Sequence, residues 1–207
     1  MRLTGATLEL LRGDEATPLG VDAEVRSLSS DAGARSELSL ELTPPQGTIE
    51  VAGGVVQEPL AFDGTVRFAG VSLPALLAPV EQPAAALLRG GVLDADLTVA
   101  LGPPSGAGDE AARIRGTATL AGVDVSDPGS AGDAFGLAWK SLALDVREAL
   151  VPAALGGERT EPIRATLDGV ELIEPSVRVT RTERGIVLPA ALGEAPEASA
   201  PAGPAAA

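Results

Sequence analysis

Alternation of apolar and polar residues with a period of two is the feature that most constrains this chain. In "LRGGVLDADLTVAL" (88–101), Leu93, Leu97 and Val99 fall on one parity, whereas Asp94 and Asp96 fall on the other. Successive side chains of a β-strand point to opposite faces of its sheet. The segment therefore predicts a strand with one apolar and one solvated face, which is typical of antiparallel sheet.

The same alternation recurs along the chain and predicts about nine strands. The candidate segments are 4–11, 36–42, 47–53, 64–70, 91–101, 113–120, 139–146, 162–167 and 176–182. The segment 72–90 favours a helix, because Ser72 can cap it and leucines follow at helical spacing. Pro79 and Pro83 predict that this helix splits in two. We expect an all-β fold with minor α: a strongly curved antiparallel sheet with one short helix or helix pair.

A short pattern centred on glycine recurs roughly every 50 residues. The sequences "FAGVSLP", "LAGVDV" and "LDGVEL" centre on Gly70, Gly122 and Gly169, and the parity of the apolar residues reverses across each glycine. A β-bulge produces such a reversal, and glycine tolerates the backbone of a bulge. We predict that bulges at these glycines bend one continuous sheet. Three unrelated hairpin turns of similar composition are the alternative.

The apolar faces of so many strands need a cover. Nine strands at about 4.8 Å spacing make a sheet about 43 Å wide. One helix of about 16 residues is only about 24 Å long and 10–12 Å across. Either the sheet closes into a sandwich or barrel, or it forms an open trough whose apolar lining is available to lipid tails. Both solutions bury the same residues, namely Leu93, Leu97, Val99, Ile114, Leu120, Leu142, Leu144, Val146 and Leu167.

The face of the only tryptophan is not determined by the alternation. Trp139 has the parity opposite to that of Leu142 and Leu144 on the same predicted strand. It therefore lies on the solvated face, at the rim of a trough, or beyond another shift of register.

Composition excludes several classes of chemistry. The chain has no Cys and no His, which excludes thiolate zinc sites, imidazole ligands and histidine bases. Asp94 and Asp96 share a strand face, but such a pair is more often a solvated face than a cation site. The net charge of −14 argues against nucleic acid. We expect no enzymatic activity, no cofactor, no metal site and no nucleic-acid partner.

The stretch 51–189 resembles the AsmA-like superfamily of bacterial envelope proteins, in the branch long described only as a domain of unknown function. The resemblance rests on the order of four segments, "GTVRFAGVSLPALLAPV", "LLRGGVLDADLTVAL", "RIRGTATLAGVDVSDP" and "AWKSLALDVREALVP". A closing signature of the form v-x-L-x-x-P-x-V-x-v-x-R-x-x-x-G follows them. Its residues here are Val170, Leu172, Pro175, Val177, Val179, Arg181 and Gly185. After this glycine the chain departs from the polar ending of the family and continues "IVLP".

The resemblance implies a role in the bacterial envelope. Family members are similar to bridge-like lipid-transfer proteins, which an N-terminal helix anchors in the inner membrane and which extend through the periplasm as a long β-trough. It implies phospholipid transport between the inner and outer membranes, or envelope assembly. The implied partners are phospholipid acyl chains and either an inner-membrane anchor or neighbouring repeats of a longer chain.

The expected organisation follows from this resemblance. Residues 1–50 form N-terminal strands, 51–192 an AsmA-like repeat region, and 193–207 a disordered Pro/Ala-rich tail. This chain lacks the anchor, so we expect an internal segment, or a chain with a misassigned start, in the periplasm and membrane-associated through a segment absent here. The alternative is a closed β-sandwich module of a surface protein with no lipid ligand.

Overall fold

A computed structural model describes residues 1–12, 15–27, 31, 33–77, 87–102, 110–126, 135–152, 163–182 and 185–187. These residues form eleven strands and one short helix. The elements are β1 (Arg2–Arg12), β2 (Glu15–Arg26), β3 (Arg35–Thr43), β4 (Thr48–Gln57), β5 (Leu60–Ser72), α1 (Leu73–Leu77), β6 (Leu88–Leu101), β7 (Glu110–Ser126), β8 (Phe135–Pro152), β9 (Arg164–Ile173), β10 (Ser176–Thr182) and β11 (Gly185–Val187).

The strands form an up-and-down antiparallel meander in which each strand from β1 to β8 pairs with the next. β9 and β10 both pair with β8 and lie end to end along it. Ile173 lies opposite Ser141, and Ser176 lies opposite Ala138, so the register continues across the break between the two strands. β9 and β10 thus occupy a single strand position in the sheet, next to β8. The predicted antiparallel sheet of about nine strands with one short helix is confirmed.

The sheet is open in the described part of the chain. β1 pairs only with β2, and β9 pairs only with β8, so the two margins do not meet. The described strands all belong to this one layer or its short β10–β11 extension, and no second sheet faces it. The closed sandwich or barrel, expected as the alternative, is therefore not formed by these residues.

Register shifts interrupt the pairing at several glycines. Gly70 (φ 61°) and Gly122 (φ 59°) lie where the pairing of β6 with its two neighbours shifts. The third predicted position differs. Gly169 pairs in register with Asp145, and the extra residue is Asp168, one position earlier. Gly169 is not among the residues with positive φ, and a bulge can place its extra residue in an ordinary backbone conformation.

The structure also differs from the sequence prediction at the end of the helix, at β2 and at the boundary placed after residue 50. The helix predicted over 72–90 is wrong at its end, because residues 88–90 belong to β6, where Leu88 lies opposite Val125. Residues 78–86 of that predicted helix lie outside the described residues, as does the tail 193–207. β2 was not predicted, since Pro18 and Gly20 interrupt its alternation. The boundary predicted after residue 50 falls inside β4.

None of the helices in the described residues has the length and hydropathy needed to cross a membrane.

Candidate functional site

One face of the sheet is apolar across eight consecutive strands. Residues directly opposite each other in an antiparallel ladder project from the same face. The pairings therefore define a row that crosses the sheet from β2 to β9. Its members are Ala23, Leu40, Val51, Val66, Leu97, Gly116, Val146 and Leu167. We call the face that carries this row the dry face; at about 4.8 Å per strand, the row is about 34 Å long.

The nine candidate groove residues from the sequence all lie on the dry face. Leu93, Leu120 and Leu142 are successive partners across β6, β7 and β8. Val99 lies opposite Ile114. Leu97, Val146 and Leu167 are members of the row given above. Leu144 lies opposite Ala118, which is two residues from Leu120 on β7 and therefore on the same face. Eight of the nine are half-buried, and Leu167 is exposed.

The dry face extends further than the sequence analysis proposed. It continues through β2 to β5, which carry Leu38, Leu40, Val51, Val66 and Phe68 on this side. The same parity rule finds these residues once the strands are paired.

The opposite side, which we call the wet face, is acidic and solvated. The next row of partners contains Asp22, Glu41, Glu50, Arg67, Asp96, Thr117 and Asp145. All seven are exposed. Like charges lie directly opposite each other at Glu41 and Glu50, an arrangement that does not stabilise the pairing. The acidic balance of the chain is thus displayed on one side of the sheet.

A small core closes one end of the dry face. Val71 is 0% exposed and Val123 is 3% exposed. The helix α1 lies beside them, since a Cβ built on Gly91 would be 2.7 Å from Leu73 Cδ1 and 3.1 Å from Val123 Cγ2. Leu73 therefore packs directly over the backbone of β6 at Gly91, where a φ of 139° favours glycine.

Trp139 lies on β8 beside this small core. It lies opposite Val123, and residues opposite each other share a face. β7 and β8 keep one register from Gly116 to Ser126, so no shift between these two strands separates Trp139 from Leu142. Its indole Nε1 is buried without a hydrogen-bond partner in the described residues, an arrangement that costs free energy unless a partner is supplied.

Phe62 covers a gap in the side chains of the dry face. Gly53 and Gly64 lie opposite each other on β4 and β5. A Cβ on either glycine would approach the Phe62 ring, at 2.9 Å from Gly53 and 2.7 Å from Gly64. The ring therefore lies over both glycines and keeps the surface apolar, as aromatic side chains do beside glycines in a sheet.

The dry face remains apolar where it becomes exposed, along β9. Three large aliphatic residues of β9 are exposed on it: Leu167 42%, Val170 59% and Leu172 48%. Their partners on β8, such as Leu142 and Leu144, are half-buried. This margin of the sheet therefore presents exposed aliphatic side chains to solvent.

Asp94, considered in the sequence as one half of a cation site, instead fixes a bulge. Its Oδ1 accepts a hydrogen bond from the backbone N–H of Gly70 at 2.8 Å. Asp22 does the same for Gly5, at 2.7 Å, where the pairing of β1 with β2 shifts. The described residues contain no group of three or more acidic side chains placed to hold a metal ion.

Ion pairs cross-link neighbouring strands outside the dry face. Glu148 on β8 meets Arg115 at 2.7 Å and Arg113 at 3.2 Å. The hydrogen bond from Arg115, assisted by the charge of Arg113, lowers the pKa of Glu148. The Arg147 guanidinium pairs with Asp168 at the β9 bulge, and its pKa is raised by this hydrogen bond.

A polar cleft lies on the wet face over β2 to β5. Its volume is about 540 Å³, and Arg35, Glu37, Ser39 and Asp63 contribute to its lining. Arg35 reaches across Gly54 to pair with Asp63, and this hydrogen bond lowers the pKa of Asp63. Charged groups line this cleft, so it is not a site for an acyl chain.

Comparison of the chain with protein-family models, with curated proteins and with solved structures finds no match.

Proposed function

We propose that the dry face is an open trough that shelters the acyl chains of phospholipids. The observation that carries this proposal is an apolar face continuous over eight strands, with no second sheet covering it in the described residues. Soluble monomers rarely leave an apolar surface of this extent uncovered unless it binds something. The resemblance to AsmA-like proteins names the occupant, which is a lipid tail.

The mechanism is passive. Moving an acyl chain through water costs about 0.8 kcal/mol for each exposed CH₂ group, and an apolar surface removes that cost. The lining is dominated by Ala, Val and Leu, with Phe62 and Phe68 as larger side chains. Such a surface has few polar groups that would hold a tail at one depth, so a tail can slide along it. The headgroup stays in water at the rim of the trough.

The role is non-catalytic in this proposal. The chain supplies no His or Cys, and Ser36, a buried serine on the dry face, hydrogen-bonds to the Ser27 carbonyl at 3.4 Å. A periplasmic location, between an inner-membrane anchor and the outer membrane, belongs to the same proposal and rests on the resemblance.

A matched pair of variants tests lipid binding. Leu97→Asp places a carboxylate in the middle of the dry face, whereas Thr98→Asp places it on the neighbouring, exposed wet-face position. Burying a carboxylate beside an acyl chain is strongly unfavourable. We expect Leu97→Asp to weaken acyl-chain binding by at least about tenfold and Thr98→Asp to leave it unchanged.

The measurement uses the full chain, expressed in a Gram-negative periplasm and purified without detergent. Native mass spectrometry weighs the protein with any bound phospholipid. Quenching of the single tryptophan by brominated phospholipid reports tails that come close to Trp139, which lies opposite Val123 beside the small core. A clean apo mass with no quenching in the wild type contradicts the proposal. Equal binding by both variants, each folded by circular dichroism, contradicts the assignment to the dry face.

A further inference from the structure

The outer edge of β9 is both unpaired and apolar. In the described residues β9 pairs with β8 only, while β10 pairs in addition with β11, through Thr180, Arg181 and Thr182 at its end. Ile163, Val170 and Leu172 at this edge are 50%, 59% and 48% exposed. Proteins usually protect a free strand edge, since its N–H and C=O groups pair readily with another strand.

The sequence of this edge is complementary to itself. Residues 163–172 read "IRATLDGVEL". When two copies of this segment run antiparallel side by side, Ile163 of one copy can lie opposite Leu172 of the other. In the same register Ala165 lies opposite Val170, and Arg164 lies opposite Glu171. Arg164 and Glu171 make no ion pair within the described residues, and both are exposed.

The bulge makes this register consistent with the two faces of the sheet. Because Asp168 is an extra residue, the parity of the dry face reverses between Leu167 and Val170. Pairs that straddle the bulge must therefore join an odd-numbered residue to an even-numbered one for the dry faces to coincide. The pairs above satisfy that condition, with Ala165 and Val170 on the dry face and Arg164 and Glu171 on the wet face.

We propose that β9 is a homodimerisation edge, at which two copies of this chain pair antiparallel about a twofold axis between Leu167 and Asp168. The interface contains two symmetric Arg164–Glu171 ion pairs and four apolar contacts, those of Ile163 with Leu172 and of Ala165 with Val170. The dry faces of the two copies become one continuous surface. A ten-residue strand edge is a small interface, so the dimer is reversible and concentration-dependent. This inference does not depend on lipid binding.

Charge reversal tests the register directly. Arg164→Glu places two acidic pairs across the axis, and Glu171→Arg places two basic pairs there. Each variant alone is expected to dimerise at least about tenfold more weakly than the wild type. A mixture of the two variants restores both opposite-charge pairs and is expected to form a heterodimer. Glu41→Arg, a reversal at an exposed position in the middle of the wet face, is the control and leaves dimerisation unchanged.

Cysteine cross-linking provides a second test, since the chain has no Cys. Thr166 and Gly169 of the other copy lie opposite each other in this register, within the about 4.4–6.8 Å between Cα atoms that a disulfide spans. Thr166→Cys combined with Gly169→Cys should oxidise to a covalent dimer. Each single substitution alone should not, since identical positions lie several residues apart across the axis.

Sedimentation velocity of the delipidated full chain, up to millimolar concentration, gives the outcome. A wild-type dimer that the single reversals weaken and that mixing restores supports the proposal. A wild type that remains monomeric overturns it. A dimer unaffected by both reversals, or reversals that mixing does not rescue, also overturns it and indicates association through another surface. Loss of dimerisation here leaves the acyl-chain test with Leu97→Asp unaffected, so the two proposals fail separately.

Discussion

Single glycines decide where this sheet can bend. Gly5, Gly70 and Gly122 have φ between 59° and 66°, and a Cβ on any of them would meet nothing within 4 Å. Space is therefore not what selects glycine at these positions. The left-handed backbone selects it, because other L-residues adopt that conformation only at a cost.

We expect Gly122→Ala to lower the free energy of unfolding by about 1–2 kcal/mol, since alanine must adopt the left-handed conformation. Gly169→Ala is the matched control. Gly169 has no positive φ, and its Cβ would lie 3.7 Å from Asp145 Cβ, an ordinary contact. Urea unfolding of both variants measures the difference. Equal losses would contradict the structural distinction between these two glycines.

This pair of residues also shows where sequence analysis reached its limit. "LAGVDV" and "LDGVEL" look equivalent, and both reverse the parity of the apolar residues. In the structure the first places its shift at a left-handed glycine, and the second places it at Asp168, which pairs with Arg147. The parity reversal is local and visible in the sequence. Which residue becomes the extra one depends on the neighbouring strand, so the sequence does not show it.

At the scale of elements, α1 is short but closes one end of the trough. It contacts β5 and β6, and its Leu73 lies over Gly91 and near Val123. No residue of α1 is fully buried. The helix therefore acts as a cover for the small core around Val71, and the rest of the dry face has no comparable cover in the described residues.

Leu73→Ala should destabilise the chain by about 1–2 kcal/mol, less than the roughly 2–5 kcal/mol of a fully buried leucine, because Leu73 is half-buried. Leu60→Ala is the control, since Leu60 is 75% exposed at the start of β5. Thermal unfolding compares the two. A larger loss for Leu60→Ala would contradict the packing described for α1.

The long strands β7 and β8 explain why the sequence predicted the face on which residues lie better than it predicted the element bounds. Alternation identified 113–120 and 139–146, but the strands extend to Glu110–Ser126 and Phe135–Pro152. Their extensions contain bulges, at which alternation breaks although pairing continues. Residues within an unbroken run could be assigned to a face from sequence, whereas residues beyond these bulges could not.

At the scale of the whole molecule, the chain is a single layer with little core. The buried apolar residues of the described part are Val21, Val71, Leu87, Ala95, Ala112, Val123 and Phe135. Most of the dry face is only half-buried. Stability therefore depends on the hydrogen-bonded ladder, on partial burial within the sheet, and on contacts across strands on the wet face.

Those contacts make stability depend on pH. The pKa values of Glu24, Asp63 and Glu148 are each lowered, chiefly by a hydrogen bond from an arginine. The unfolded chain then binds more protons than the folded chain in the acid range. Stabilisation by these groups is complete above their ordinary pKa values, 4.5 for Glu and 3.8 for Asp. It is lost as the pH falls through the lowered values.

We expect Glu148→Gln to be less stable than the wild type at pH 7. The difference should shrink as the pH falls below 4.5 and should vanish once Glu148 is protonated in the folded wild type. Denaturant unfolding across this range measures it. Glu41→Gln is the control, because Glu41 makes no ion pair in the described residues. A constant difference at all pH values would show that Glu148 acts by packing and not by charge.

The sequence by itself determined which residues are apolar together, because the pleat sends alternate side chains to opposite faces whatever surrounds the strand. The alternation therefore predicted the antiparallel class and placed all nine candidate groove residues on one face. Only the tertiary structure decided that the dry face lacks a second layer in the described residues, that it reaches back to β2, and that Trp139 lies opposite Val123. These outcomes depend on which strands meet and where the register shifts, and such contacts join residues distant in sequence.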